Sequence, residues 1–212
     1  MMNQPLDLSL SLLQASLLLS VSYVMIRLWK DAPVAFIAGI GGNIYLMAMS
    51  LSLVPFTYTG TIPLLLLLLC FLIRSPFLLW LTRGLALAIL LIHWLMPTVS
   101  GLISILPSAV ITGYLLIRLL REPLYEDDIA FGKSLLLAGT LFWLLATGML
   151  LILLSSDDLL YSTDARRITI VTHLIWQVMI LTGLYKFKKG KQEKIRYEKR
   201  VWKEEPESFR FL

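Results

Sequence analysis

Residues 63–76 read Pro-Leu-Leu-Leu-Leu-Leu-Leu-Cys-Phe-Leu-Ile-Arg-Ser-Pro, and this stretch decides the fold class. A transmembrane barrel strand needs apolar and polar residues to alternate, and the leucine run has no period of two. Runs that are apolar on every side, separated by short polar breaks, are the pattern of helices crossing a bilayer. Arg74-Ser75-Pro76 closes this one, because proline disfavours helical backbone at the residue before it.

Working outward, six more runs of the same kind appear. The spans lie near residues 7–28, 33–54, 57–74, 77–97, 100–120, 134–154 and 168–187, each close to the roughly 20 residues that cross about 30 Å of hydrocarbon. Residues 61–97 are nearly continuous, interrupted only at Arg74-Ser75-Pro76 and at Arg83-Gly84. The turn belongs at the first break, which leaves Arg83 about two turns inside the fourth span, from where it can snorkel to the interface. The expected fold is therefore all-α: a polytopic bundle of seven transmembrane helices over residues 1–187, followed by a basic tail over 188–212.

Composition agrees. Of 212 residues 58% are hydrophobic and 16% charged, against about 25% charged in a soluble domain. Ten of the nineteen Lys and Arg fall between Lys186 and Leu212. Such a cluster beyond a last span marks the cytoplasmic side and meets anionic lipid or a cytoplasmic partner, rather than nucleic acid. With the tail inside, Arg27, Lys30, Arg74, Arg83, Arg118, Arg121 and Lys133 also fall inside. The N-terminus then lies outside. Six spans would fuse two runs and invert the first part of the chain. Met1 to Leu6 has no basic residue and no small-residue cleavage site follows, so the first run is expected to stay as a helix. A bacterial inner membrane is the default location, since no organelle address is visible.

Arg166 and Arg167 alone break the charge rule, just before the seventh span. They can pair locally with Asp157, Asp158 and Asp164. Small and hydroxylated residues recur at helical spacing: Ala35, Gly39 and Asn43 in the second span, Ser104, Ser108 and Thr112 in the fifth, Thr140, Trp143 and Thr147 in the sixth. These let membrane helices approach closely, and Pro107 should bend the fifth. The lone Cys70 excludes an internal disulfide and reads as an inert buried thiol.

Between their ends the spans hold no Asp or Glu, so the usual proton relays and cation sites lack ligands. No Ser-His or Cys-His pair, paired carboxylates or phosphate loop is present, and Glu126-Asp127-Asp128 reads as a helix cap. Nothing in the sequence points to an enzyme. Two residues remain, His93 and His173, the only histidines. Each lies one to one and a half turns from the outer end of its span, on oppositely running helices. Imidazoles at matched depth are what bis-histidine haem ligation needs. Arg166, Thr169, His173 and Gln177 follow one another at helical spacing with Trp176 alongside. Arg166 and Arg167 would then meet haem propionates, and Gln177 and Thr169 would act as supporting donors. A quinone headgroup, bonded by His and Gln, would use the same stripe. The bland alternative is that His, Gln and Trp tips are simply tolerated near the headgroup region.

Phe131-Gly132-Lys133-Ser134-Leu135-Leu136-Leu137-Ala138-Gly139, the loop with Asp164, and Thr172-His173-Leu174-Ile175-Trp176 running to Tyr185 resemble the closing part of the HemX and CcsA group of cytochrome c assembly proteins. The resemblance covers about a third of the chain. It implies a small-residue helix, a short outer loop and a final helix around haem, with His93 and His173 in the role of the membrane histidines. The tryptophan-rich haem-handling loop of CcsA is missing, so only haem binding or a regulatory role carries over. The expected function is a membrane subunit binding haem or quinone near the outer face, in electron transfer or cytochrome assembly with other membrane subunits. Two alternatives stand beside it. One is a carrier or sensor for a small neutral or lipid-like ligand, its pocket lined by Asn43, Ser104, Ser108, Thr112 and Thr147. The other is an accessory subunit without a cofactor.

Overall fold

A computed structural model describes residues 5–28, 32–50, 61–73, 75–95, 100–121, 128–154 and 163–204. Every regular element in it is helical: α1 (Pro5–Leu28), α2 (Pro33–Ser50), α3 (Thr61–Leu69), α4 (Pro76–Leu95), α5 (Ser100–Arg121), α6 (Asp128–Leu154) and α7 (Thr163–Glu204), with a short 3₁₀ turn over Cys70–Leu72 extending α3. Proline sets two of the starts. Pro33 and Pro76 each occupy a first helical position, where the missing N–H costs nothing. The carbonyls just before them, of Ala32 and Ser75, accept from Phe36 and Leu79.

The apolar runs and the helices differ in three places. The third helix is short: it tightens into the 3₁₀ turn and then leaves helical geometry at Ile73, which is extended at φ −90° and ψ 117°. The sixth begins earlier than expected, at Asp128. The seventh does not stop near residue 187 but continues as one helix of 42 residues through Glu204, about 63 Å long at 1.5 Å per residue. The basic segment is thus a coaxial extension of α7 as far as it is described, with residues 192–197 exposed on all sides.

Five helices are long and apolar enough to cross a membrane: those holding Ser9–Leu28, Pro76–His93, Ile103–Arg121, Asp128–Leu150 and Ile170–Tyr197. Two apolar helices, Ala35–Ala48 and Thr61–Leu72, are shorter. Burial is inverted relative to a soluble protein. Phe77, Trp80, Leu87, Val110 and Met149 are among the large apolar side chains more than 60% exposed. Asn43, Ser104, Ser108, Thr112, Thr140 and Gln177 are at most 4% exposed. Apolar surface on this scale is stable only against lipid or another protein.

Each helix packs on its neighbour in sequence, and α1 closes the set against α7. The α6–α7 seam is the broadest. The two helices run antiparallel, level at Gly132 with Gly183 and Phe187, at Gly139 with Met179, and at Ile129 with Gly190. A β-carbon on Gly132 would lie 2.6 Å from the Gly183 carbonyl oxygen and 2.6 Å from the Phe187 nitrogen, so only glycine allows this approach. Asp128 fastens the seam's end, 3.0 Å from Lys186 and 3.3 Å from Lys189. This is a role in helix pairing that capping did not suggest. At α2 the expected close approach is present: Gly39 admits Met25 of α1 and Leu68 of α3, and Asn43 donates to Ser22 Oγ at 3.0 Å. Phe71 meets both Phe36 (5.2 Å) and Phe187 (5.6 Å), so the start of α2, the end of α3 and the end of the packed part of α7 lie at one face of the bundle. The basic extension of α7 leaves from that face.

Candidate functional site

The polar interior gathers on α6 and α7. Residues 173, 176, 177, 180 and 184 form the buried face of α7, at the i, i+3, i+4 spacing that puts side chains on one stripe. His173 is 2% exposed and Gln177 fully buried. Across the seam stands Trp143 of α6, 1% exposed. The three rings form a triangle: Trp143 to His173 5.7 Å, Trp143 to Trp176 5.5 Å, His173 to Trp176 6.3 Å between centroids.

Several polar atoms in this interior have no hydrogen-bond partner. Both the amide oxygen and the amide nitrogen of Gln177 lack one, as do the indole N–H groups of Trp143 and Trp176. Ser11 Oγ and Gln14 Oε1, buried on α1, are in the same condition. A buried polar group left unsatisfied costs about 1–3 kcal/mol, and such groups are few in native interiors. Trp143 and Trp176 also line a crevice with Asn43, Thr61, Gly42 and Leu64. It has about 20 Å³ of free space, roughly one water molecule's worth. The crevice lies between the α2–α3 pair and the α6–α7 pair, which share no broad contact with each other and are joined through α1 and α5.

The hydroxyls expected to line a ligand pocket are largely committed elsewhere. Ser108 donates to the Ser104 carbonyl at 2.6 Å and Thr112 to the Ser108 carbonyl at 2.8 Å, the local back-bonding that short hydroxyl side chains adopt in apolar helices. Thr140 does the same to Leu136 at 2.8 Å. Thr147 is buried at 4% exposure. Of the expected lining residues, Asn43 is brought to the crevice.

His93 lies half-buried near the end of α4, a helix that packs on α3 and more lightly on α5, with no broad contact to α7. The expected pairing of His93 with His173 thus falls on two helices that are not packing partners. Arg167 is half-buried at the start of α7. The side chains of Arg166, Thr169 and Asp164 lie outside what the structure describes, as do Glu126, Asp127, Asp157 and Asp158. The residue that sequence reasoning did not place in the site is Trp143. Its only signal was a face shared with Thr140 and Thr147. Arg83 lies beside the buried Cys70 thiol, which itself bonds the Leu66 carbonyl at 3.4 Å.

The His173 ring stands against two indoles, and the neighbouring crevice, as packed, would have to open to admit a haem macrocycle or any other planar ring. No family model, curated protein or solved structure matches the chain.

Proposed function

We propose that this chain is a seven-span membrane protein that receives the polar head of a small, neutral, lipid-borne ligand of the quinone class between the α2–α3 and α6–α7 pairs. The observation that carries the reading is the pair of buried, unbonded indole N–H donors of Trp143 and Trp176, two residues that line one crevice, with the unbonded Gln177 amide next to Trp176 on the buried face of α7. Indoles donate only, whereas an amide both donates and accepts. A ligand that satisfies them must present hydrogen-bond acceptors on a flat, largely apolar body, and a quinone's ring carbonyls meet that need. The aromatic faces add stacking surface. Loose coupling between the two helix pairs lets the crevice widen without breaking the α6–α7 seam. Membrane-embedded sites between helices are common places for such ligands.

In this reading all seven helices cross the bilayer, with the N-terminus outside and the basic extension of α7 inside, as the distribution of Lys and Arg favours. Quinone binding would place the chain in membrane redox chemistry, as a binding or sensing subunit.

The test is a thermal melt and tryptophan fluorescence titration of purified protein with a short-chain benzoquinone. Saturating ligand should raise the melting temperature and quench part of the emission. Gln177→Leu should do two opposite things. It should leave the ligand-free protein as stable or more stable, because an unbonded amide is replaced by an apolar group of similar volume, and it should abolish the ligand-induced shift. A wild-type protein indifferent to the quinone, or a Gln177→Leu protein that melts lower without ligand, would sink the proposal.

A further inference from the structure

A second cavity lies at the face from which the basic extension of α7 leaves. It is lined by Leu72 and Ile73 at the end of α3, Leu78 at the start of α4, Leu115, Arg118 and Leu119 near the end of α5, and Lys133 and Leu137 near the start of α6. Its free space is about 60 Å³, three times that of the crevice between the tryptophans. The chemistry of the walls is divided. Six side chains are aliphatic, two are cationic, and none of the eight is acidic. Lys133 follows Gly132, whose contact with Phe187 fixes the depth. Leu72 follows Phe71, which meets Phe36 and Phe187 at the same level. The two cations therefore sit near the level where apolar α7 gives way to its basic extension.

We propose that this pocket holds an anionic phospholipid, with its phosphate between Arg118 and Lys133 and the upper part of an acyl chain against the leucines. A guanidinium and an ammonium on residues that line one concavity are the donors that bind a phosphate oxygen cluster. Basic pockets between membrane helices on the basic side take acidic headgroups in this way. A free phosphate ion would share the headgroup chemistry but would have no use for six aliphatic walls. That asymmetry favours the lipid. The site is distinct from the extension of α7, where residues 192–197 are exposed. It is also independent of the quinone reading, since it uses none of the same residues.

The experiment is native mass spectrometry of the detergent-purified full chain, with phosphatidylglycerol and phosphatidylcholine of identical acyl chains in competition. The wild type should favour the acidic lipid on the order of tenfold, as two interfacial cations would give. Arg118→Gln/Lys133→Gln should bring the two lipids near parity with an unchanged melting temperature. Lys194→Gln/Arg196→Gln, on the extension, should keep the preference. If the double variant folds poorly, Arg118→Gln alone, at an exposed position, should remove a few-fold of it. Preference surviving in the pocket variant, or lost in the extension variant, overturns the site. Displacement of the acidic lipid by millimolar inorganic phosphate would also overturn it, in favour of a soluble anion.

Discussion

Helix α4 is as apolar as α6 and more so than α7, yet α6 and α7 are the best buried of the membrane-length helices and α4 the least. Among the membrane-length spans, 39% of residues in those of α6 and α7 are buried against 17% in that of α4. Hydrophobicity cannot make the difference, because lipid solvates leucine as well as another helix does. What draws membrane helices together is close packing and polar contact. The seam has both: Gly132, Gly139, Gly183 and Gly190 at the points of closest approach, and the Asp128–Lys186 bond at its end. Helix α4 has Gly84, around which a β-carbon would meet nothing within 4 Å, and a stripe of Phe77, Trp80, Leu87 and Leu91 turned outward.

The contrast is most sharply broken at Gly132. Gly132→Leu should cost about 3 kcal/mol or more, since overpacking of this kind forces backbone apart, here the Gly183 and Phe187 main chain. Loss of the cooperative melt, or a large drop in melting temperature in mild detergent, is the expected readout. A variant that melts like the wild type would mean that the seam is looser than its geometry.

How much of this was legible in the sequence depends on what each residue reports. Pro33 and Pro76 mark helix starts because proline's geometry is local. The full length of α7 was not legible, because hydropathy measures solubility in lipid, not helical order. Lys, Glu, Gln and Arg beyond residue 187 are all good helix formers, so the backbone continues after the apolar run has stopped. The change at the end of α3 was hidden for the same reason: apolar residues continue through the 3₁₀ turn of Cys70–Leu72 without a trace. In the site, His173, Trp176 and Gln177 could be put on one stripe from their spacing alone. Trp143 could not, because its place opposite Trp176 depends on the register set by Gly132 and Gly139, which is a property of two helices together. Matching His93 to His173 by depth does not say whether their helices meet, for the same reason. Depth is readable along one helix, adjacency is not.

A smaller effect tests a polar contact away from the seam. Asn43→Ala removes the bond to Ser22 that ties α2 to α1, and interhelical side-chain bonds in membranes contribute about 0.6–1 kcal/mol. The melting temperature should fall slightly, and Ser22→Ala in the same background should add little more. Additive losses would show that the two side chains do not act as a pair. Asp128→Asn should have a weaker effect still, because its lysine partners are partly exposed and pairs of that kind are screened by salt. The difference from wild type should shrink as ionic strength rises.

At the bottom of the scale stands Gly84→Leu. In most helices a leucine for glycine either clashes or adds helical propensity, and here only the second applies: no neighbouring atom lies within 4 Å of the new β-carbon, and leucine is about 1 kcal/mol the better helix former. If the outward face of α4 meets lipid, the substitution should be neutral or mildly stabilising. If a partner helix instead uses that gap for close approach, as α7 uses Gly132, the same leucine should leave the isolated chain unharmed and prevent the partner from co-purifying. One substitution thus asks which of the two kinds of surface α4 presents.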